Sequence, residues 1–255
     1  MSRPLAGRCI LVTRPAAQAT ALAQKIRDAG GEAWVFPAIE IQPISSETLT
    51  QRIDHLHDYD AAIFISPNAA QQGLAAVAAR RAFPPGLRVL ALGPGTAQAL
   101  ADAGLSNVTQ AGGQDTEALL ALPALQNVAG QRIVIFRGVG GRELLADTLA
   151  ARGAKVDYAE CYRRACPVAD PTPLLRQWSA SGIHAVTLTS AQTLDNLGAL
   201  LGETGDTYLQ ATPVFAPHEK IAAAARQHGI RQVITTAGGD AGLLAGLISW
   251  FQTHV

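Results

Sequence analysis

Short apolar runs alternate with longer amphipathic stretches along the chain. The runs "CILV" (9–12), "AAIFI" (61–65), "VLAL" (89–92), "IVIF" (133–136), "AVTL" (185–188) and "QVIT" (232–235) lack the apolar/polar alternation of a half-exposed strand. They predict strands covered on both faces. Each is followed by a turn rich in Ser, Thr, Gly, Pro or Arg, and then by a stretch of helical period. Strands alternating with helices in this way form parallel sheets with helices on both faces. The expected fold class is α/β with doubly wound parallel sheets.

The pattern occurs twice. "CILVTRPAAQATALAQKIRDAGGEAWVFPAIE" (9–40) and "RIVIFRGVGGRELLADTLAARGAKVDYAECYR" (132–163) share a strand ending in Arg, a helical run, a Gly stop and a second strand. Arg14 and Arg137 correspond, 123 positions apart. Three more blocks follow in the same order. They pair "DAAIFISPNAA" (60–70) with "HAVTLTSAQT" (184–193), "RVLALGPGTAQALADAGL" (88–105) with "TPVFAPHEKIAAAARQHGI" (212–230), and "NVTQAGGQDTEALLALP" (107–123) with "QVITTAGGDAGLLAGLI" (232–248). The repeat unit reads as strand, helix, strand, then three strand–helix steps, so two doubly wound lobes are expected.

In such sheets ligands sit beyond the carboxyl ends of the strands, where helix N-termini present free N–H groups and a positive dipole end. Six exits stand there: "TRPAAQ", "SPNAA", "GPGTAQ", "RGVGGRE", "TSAQT" and "APHEK". Ser66 and Thr189 or Ser190 have the chemistry of helix caps, and Pro15 and Pro67 suit a first helical turn. Gly93, Gly95, Gly138, Gly140 and Gly141 permit close backbone approach. Singly, each loop reads as an ordinary cap or turn. Six together predict a surface for a ligand with several anionic groups, bound largely through backbone N–H. Asp115 and Asp240 read as N-caps, and His218 fits a cap and a ligand contact equally well. The nucleotide signals are weak: "GPGTAQ" lacks the third glycine of a dinucleotide turn, and "RGVGGRE" lacks the Lys-Ser/Thr of a phosphate loop.

Acidic and basic residues balance at 20 each, which removes the broad positive field of a nucleic-acid binder and makes any anion site local. The apolar runs are far shorter than the roughly 20 residues that cross a bilayer. The opening "MSRPLAGRCILVTRP" has no long apolar signal core, so a cytoplasmic protein without membrane contact is expected. Cys9, Cys161 and Cys166 are odd in number and scattered, against a disulfide framework, and fit no zinc or redox spacing. They are expected as small buried or half-buried hydrophobes. His55 and His57 read as a solvated turn. No Ser/His/Asp order, Cys/His pair or carboxylate dyad stands out, so little acid–base machinery and no metal or cofactor are expected.

Taken in order, "LVTRP", "FPAIEI", "IFISPNA", "LGPGTAQAL", "IFRGVGGRELLADTL", "YAECYRR" and "FAPHEKIA" resemble the uroporphyrinogen-III synthase family, over essentially residues 5 to 250. The strongest piece is "FRGVGGRELL" followed by "YAECYRR". The resemblance implies two flavodoxin-like lobes joined by two extended linker strands, with an active cleft between the lobes. Lobe 1 would be residues 1–37 plus 167–255, lobe 2 residues 41–160, and the linkers 36–43 and 158–167. The repeat independently places Ile39 opposite Tyr162 in those linkers, making the second a hinge.

The resemblance also implies a lyase that closes hydroxymethylbilane, a linear tetrapyrrole polyacid, into uroporphyrinogen III with inversion of the last pyrrole and loss of water. Tyr162 matches a tyrosine proposed to protonate the departing hydroxyl. Substrate carboxylates would meet Ser66, Pro67 and Asn68 in one loop, Gly93, Gly95 and Thr96 in the next, and Gly138, Gly141 and Arg142 in a third. Thr189, Ser190 and Ala191, then His218 and Lys220, would serve in the other lobe, and Arg14 and Arg137 would add charge. Family members often carry Thr at Ile65 and Ser, Thr or Arg within "PHEK". A monomer is implied, in transient contact with the preceding pathway enzyme. A two-lobed binding protein without catalysis, and a regulatory module of a larger enzyme, are the alternatives.

Overall fold

The structure, a computed structural model, describes residues 3–113, 115–180 and 182–254. It divides into two compact units, Met1–Glu40 with Ala165–Val255, and Ile41–Arg164. The chain opens in the first unit with β1 (Cys9–Val12), α1 (Ala16–Asp28) and β2 (Glu32–Val35). It then passes through β3 (Glu40–Pro43), α2 (Glu47–Asp54), β4 (Ala61–Phe64), α3 (Pro67–Ala78), β5 (Arg88–Ala91), α4 (Pro94–Asp102), β6 (Val108–Gln110) and α5 (Thr116–Leu120). The second unit is completed by β7 (Arg132–Gly138), α6 (Leu144–Ala151) and β8 (Lys155–Ala165). The return adds α7 (Thr172–Ser179), β9 (Ala185–Thr187), α8 (Ala191–Ala211), β10 (Val214–Ala216), α9 (Glu219–Gln227), β11 (Val233–Thr235) and α10 (Gly239–Thr253) to the first.

The first unit's sheet has the order β2-β1-β9-β10-β11, with every neighbouring pair parallel. In the second unit the order is β3-β8-β7-β4-β5-β6, parallel from β8 to β6. Strands β1, β2, β9, β10 and β11 therefore hold the same sheet positions as β7, β8, β4, β5 and β6. The duplication is real in three dimensions, but it is exchanged. Each sheet takes two of these strands from one copy of the repeat and three from the other, and β3 is added at the edge of the second unit's sheet.

Local chemistry explains the helix starts. Ser46, Ser66, Asp115 and Ser190 accept the N–H groups of Leu49, Ala69, Ala118 and Thr193 in the first turns of α2, α3, α5 and α8. The central strands are covered on both faces, as their unbroken apolar runs predict. In β7, Ile133 and Ile135 pack on one side of the sheet, while Val134 and Phe136 pack on the other, where Phe136 stacks on Phe64 at 4.5 Å. Each such side chain contributes roughly 1.5–3 kcal/mol of burial. One expectation fails: β11, expected to be fully covered, is partly exposed because it ends its sheet and has a strand neighbour on one side alone.

Both sheets have the doubly wound order, in which the direction of strand addition reverses between two neighbouring central strands. That switch point is where such sheets open a crevice at their carboxyl edge. It falls between β1 and β9 in the first unit and between β7 and β4 in the second.

Candidate active site

At the second unit's switch point, Tyr162 is delivered by an irregularity in strand pairing. From Lys155 opposite Arg132 to Glu160 opposite Arg137, β8 and β7 keep step; then Gly138 faces Tyr162, leaving Cys161 as an extra residue. A bulge of this kind re-aims the side chains beyond it. Ala159, Cys161 and Tyr162 consequently all pack into the layer that holds Phe64 and Phe136. The ring of Tyr162 is 2% exposed, and its hydroxyl lies 3.1 Å from Ser66 Oγ.

Ser66 caps α3 by accepting the Ala69 N–H at 3.0 Å. A hydroxyl has one proton and two lone pairs, so the capping bond leaves the Ser66 proton available to the tyrosine oxygen. The positive end of α3 adds to the same effect. Gly138 backs the ring: a Cβ there would stand 2.7 Å from Tyr162 Cζ. The Val139 N–H donates to the Tyr162 carbonyl at 2.9 Å, so the loop after β7 holds Tyr162 from both its ring and its backbone.

A pocket of about 130 Å³ opens here, bordered by Ser66, Gly138, Val139, Arg142, Tyr162 and Arg164. Water occupies roughly 30 Å³ per molecule, so the space suits one carboxylate arm and not a whole macrocycle. A second pocket of about 310 Å³ shares Ile65 and Ser66 and continues along Pro67, Gly93, Gly95 and Thr96, past the starts of α3 and α4. A larger cavity, about 450 Å³, lies against α2 and α3. None of the glycine-rich strand exits borders it, so the smaller pair is the better candidate despite its size.

The loop from Gly138 to Gly141 is moulded on Arg137. This guanidinium is 2% exposed; it donates to the carbonyls of Gly138 and Gly140 and to Glu143 Oε1, and it lies 4.4 Å from the centre of the Tyr158 ring. Tyr158 in turn donates to Glu143 Oε2. Gly140 and Gly141 have φ of 73° and 111°, and a Cβ on Gly141 would stand 2.9 Å from Arg137 Nη2. Burial, then the Glu143 carboxylate, pushes the Tyr158 phenol up to about 12. The Tyr158 hydrogen bond, joined by Arg137, holds the Glu143 carboxyl below its usual range.

Several expected side-chain roles are corrected by these contacts. Arg137 lines the small pocket but is almost wholly buried, braces its loop and has its charge matched by Glu143. Arg14 is mostly buried in an ion pair with Asp240, and Asp240 is not an N-cap but sits in the first turn of α10 after the capping Gly238. Thr96 is buried and its hydroxyl donates to the Leu92 carbonyl, so only its backbone neighbourhood is open. Cys166 is exposed, unlike Cys9 and Cys161. Asp115 does cap α5, and Ser190, rather than Thr189, caps α8 beside Ala191. His218 caps α9, its Nδ1 accepting the Lys220 N–H at 3.1 Å, while the Lys220 side chain is exposed. Asn68 stands in the first turn of α3 and Arg142 is exposed at the pocket mouth.

The family description "HEM4: Uroporphyrinogen-III synthase HemD" matches residues 20–244. The chain belongs to the uroporphyrinogen-III synthase family. Among its relatives, the uroporphyrinogen-III synthase of Salmonella typhimurium is 35% identical over 235 residues, covering 91% of this chain and 96% of that one. The Escherichia coli uroporphyrinogen-III synthase is 34% identical over 237 residues, with the same 91% and 96%. Among solved structures, a uroporphyrinogen III synthase mutant from Thermus thermophilus superposes with a TM-score of 0.62 at 18% identity, covering 97% of this chain and all of that one. The Helicobacter pylori uroporphyrinogen-III synthetase gives 0.61 at 16%, covering 95% and 99%. At these identities the structural likeness concerns the α/β fold. For this uroporphyrinogen-III synthase family member, no group of three or more His, Cys, Asp or Glu among the described residues is placed to hold a metal ion. No helix among them is long and apolar enough to cross a membrane.

Sequence reasoning missed Arg164, whose guanidinium lies 5.9 Å from the Tyr162 ring centre, and Val139, 57% exposed at the pocket rim. It also missed the Glu143–Tyr158 pair. Even spacing in "YAECYRR" would align Tyr158, Glu160, Tyr162 and Arg164 on one face. That spacing could have pointed to Arg164, although the bulge after Glu160 breaks the alignment.

Proposed function

We propose that this chain is a cyclising lyase that converts hydroxymethylbilane into uroporphyrinogen III, with Tyr162 as the acid that releases the terminal hydroxyl as water. The observation that carries the site assignment is the 3.1 Å contact between the Tyr162 hydroxyl and the capping Ser66, at the edge of a pocket sized for one carboxylate arm. As the proton leaves, the phenolate is met by the Ser66 O–H and by the positive end of α3. Loss of hydroxyl leaves an electrophilic azafulvene. Attack by the substituted carbon of the last pyrrole gives a spiro intermediate, and fragmentation with reclosure inverts that ring.

The free bilane also closes unaided to the uninverted isomer, so the protein's task is orientation. A difference of about 1.4 kcal/mol between the two barriers changes the product ratio tenfold, which a few N–H contacts to carboxylates supply. Backbone N–H groups within Ser66–Asn68, Gly93–Thr96 and Gly138–Arg142 in one unit, and within Thr189–Ala191 and His218–Lys220 in the other, are the proposed contacts. The exceptions are Pro67 and Pro94, which have none, and Gly93, Val139, Gly140 and Lys220, whose N–H groups already bond within the chain. The same reading takes the two compact units as the family's lobes and the protein as a cytoplasmic monomer. The test is to supply fresh hydroxymethylbilane and resolve the oxidised products by chromatography. Type III isomer is expected. Type I alone refutes the reading, and binding of bilane without conversion would favour a carrier.

A further inference from the structure

We propose that Glu143 and Tyr158 are positioning residues that clamp Arg137 and thereby hold the Gly138–Gly141 loop in the shape that seats Tyr162. Neither residue borders the pocket, so neither is placed to touch substrate. What they hold is Arg137. One face of its guanidinium lies on the Tyr158 ring, Glu143 accepts from it, and the Tyr158 hydroxyl binds the other oxygen of the same carboxylate. The three side chains close a ring of interactions around a charge that is almost wholly buried. A guanidinium has a planar fork of donors, so fixing its plane fixes the carbonyls it reaches. Those carbonyls belong to Gly138 and Gly140.

The loop passes that order on to Tyr162. Gly138 lies against the phenol ring, the Val139 N–H binds the Tyr162 carbonyl, and the Gly140 N–H reaches Glu160 at 3.4 Å. Two glycines with left-handed φ make this loop costly to hold without a brace. Glu143 is six residues beyond Arg137 and Tyr158 lies on the next strand, so the clamp also ties the start of α6 to β8.

The catalytic consequence rests on the proposed function; the clamp itself does not. The experiment uses the full chain with Tyr158→Phe, which keeps the ring under Arg137 but loses the bond to Glu143, with Tyr158→Leu, which loses both, and with Glu143→Gln. Hydrogen–deuterium exchange of the 138–142 segment needs no substrate. Exchange there is expected to quicken about tenfold in Tyr158→Phe and Glu143→Gln and more in Tyr158→Leu, with β4 and β5 unchanged. With hydroxymethylbilane, kcat is expected to fall about tenfold in the first two variants while KM stays within about twofold, because the clamp acts on the seat of the acid Tyr162, and Phe is expected to rescue most of the loss seen with Leu. Unchanged exchange in all three variants overturns the clamp. Quickened exchange with unchanged kcat overturns its role in the reaction. A wild-type protein that leaves bilane unconverted defeats the functional reading alone, since the exchange data still decide whether the clamp exists.

Discussion

Replacing Gly138 with Ala tests whether the seat of Tyr162 governs turnover. Gly138 is not among the glycines with positive φ, so alanine meets no backbone penalty and the effect is steric. The added Cβ would stand 2.7 Å from Tyr162 Cζ, 2.8 Å from Cε2 and 3.2 Å from Cε1. Carbon atoms rest at about 3.5–4.0 Å, so ring or loop must yield by about 1 Å. Overpacking of this size costs roughly 1–3 kcal/mol of stability. Displacing a reacting group by about 1 Å costs on the order of 10²-fold in rate. The assay is turnover of hydroxymethylbilane to type III product, alongside urea unfolding. Tyr162→Phe, which removes one hydroxyl and keeps the ring, should lower turnover by about 10²–10⁴-fold with little loss of stability. In the double variant, Gly138→Ala should add little further loss of rate, because both changes act on one hydroxyl. A folded Gly138→Ala protein that turns over within about twofold of the parent refutes the reasoning, as does full additivity in the double variant.

Three other outcomes are expected. Ser66→Ala should cost about 1 kcal/mol in urea unfolding through loss of the α3 cap, and should also slow turnover, because Tyr162 loses its partner; a change in stability alone would separate the two roles. Stability should fall on the alkaline side from about pH 9. Burial raises Cys9 from 9.0 to about 11 and Cys161 from 9.0 to about 12, and Tyr59 and Tyr158 from 10.0 to about 12. The folded chain thus holds protons that the unfolded chain releases, so stability present below pH 9 is lost as pH rises through those values, and flat unfolding curves from pH 8 to 11 would contradict this. A thiol reagent should titrate Cys166 rapidly in the native protein and reach Cys9 and Cys161 only after denaturation.

The covered strands, the helix starts at Ser66, at Asp115 and at Thr189 or Ser190, and the duplicated order of elements were all legible in the chain by itself. Each depends on residues a few positions apart: unbroken apolar runs, cap residues, and glycine stops. Because parallel strands put their exits on one edge, the grouping of Ser66 with Gly93 also followed from that local pattern, whereas Gly138, in the other copy of the repeat, did not. Which copy of the repeat contributes to which sheet was not written in the periodicity; the family resemblance implied the exchange as an expectation, and packing left β11 at an open edge. Tertiary structure alone decided the fate of the charged candidates, since Arg14 meets Asp240 across 226 positions and Arg137 is enclosed by Glu143 and Tyr158. The position of Tyr162 depends on one unmatched residue in the pairing of β7 with β8, and a one-residue slip sends a strand side chain to the other face. Strand register is set by packing between segments far apart in the chain, and periodicity within either segment carries no record of it.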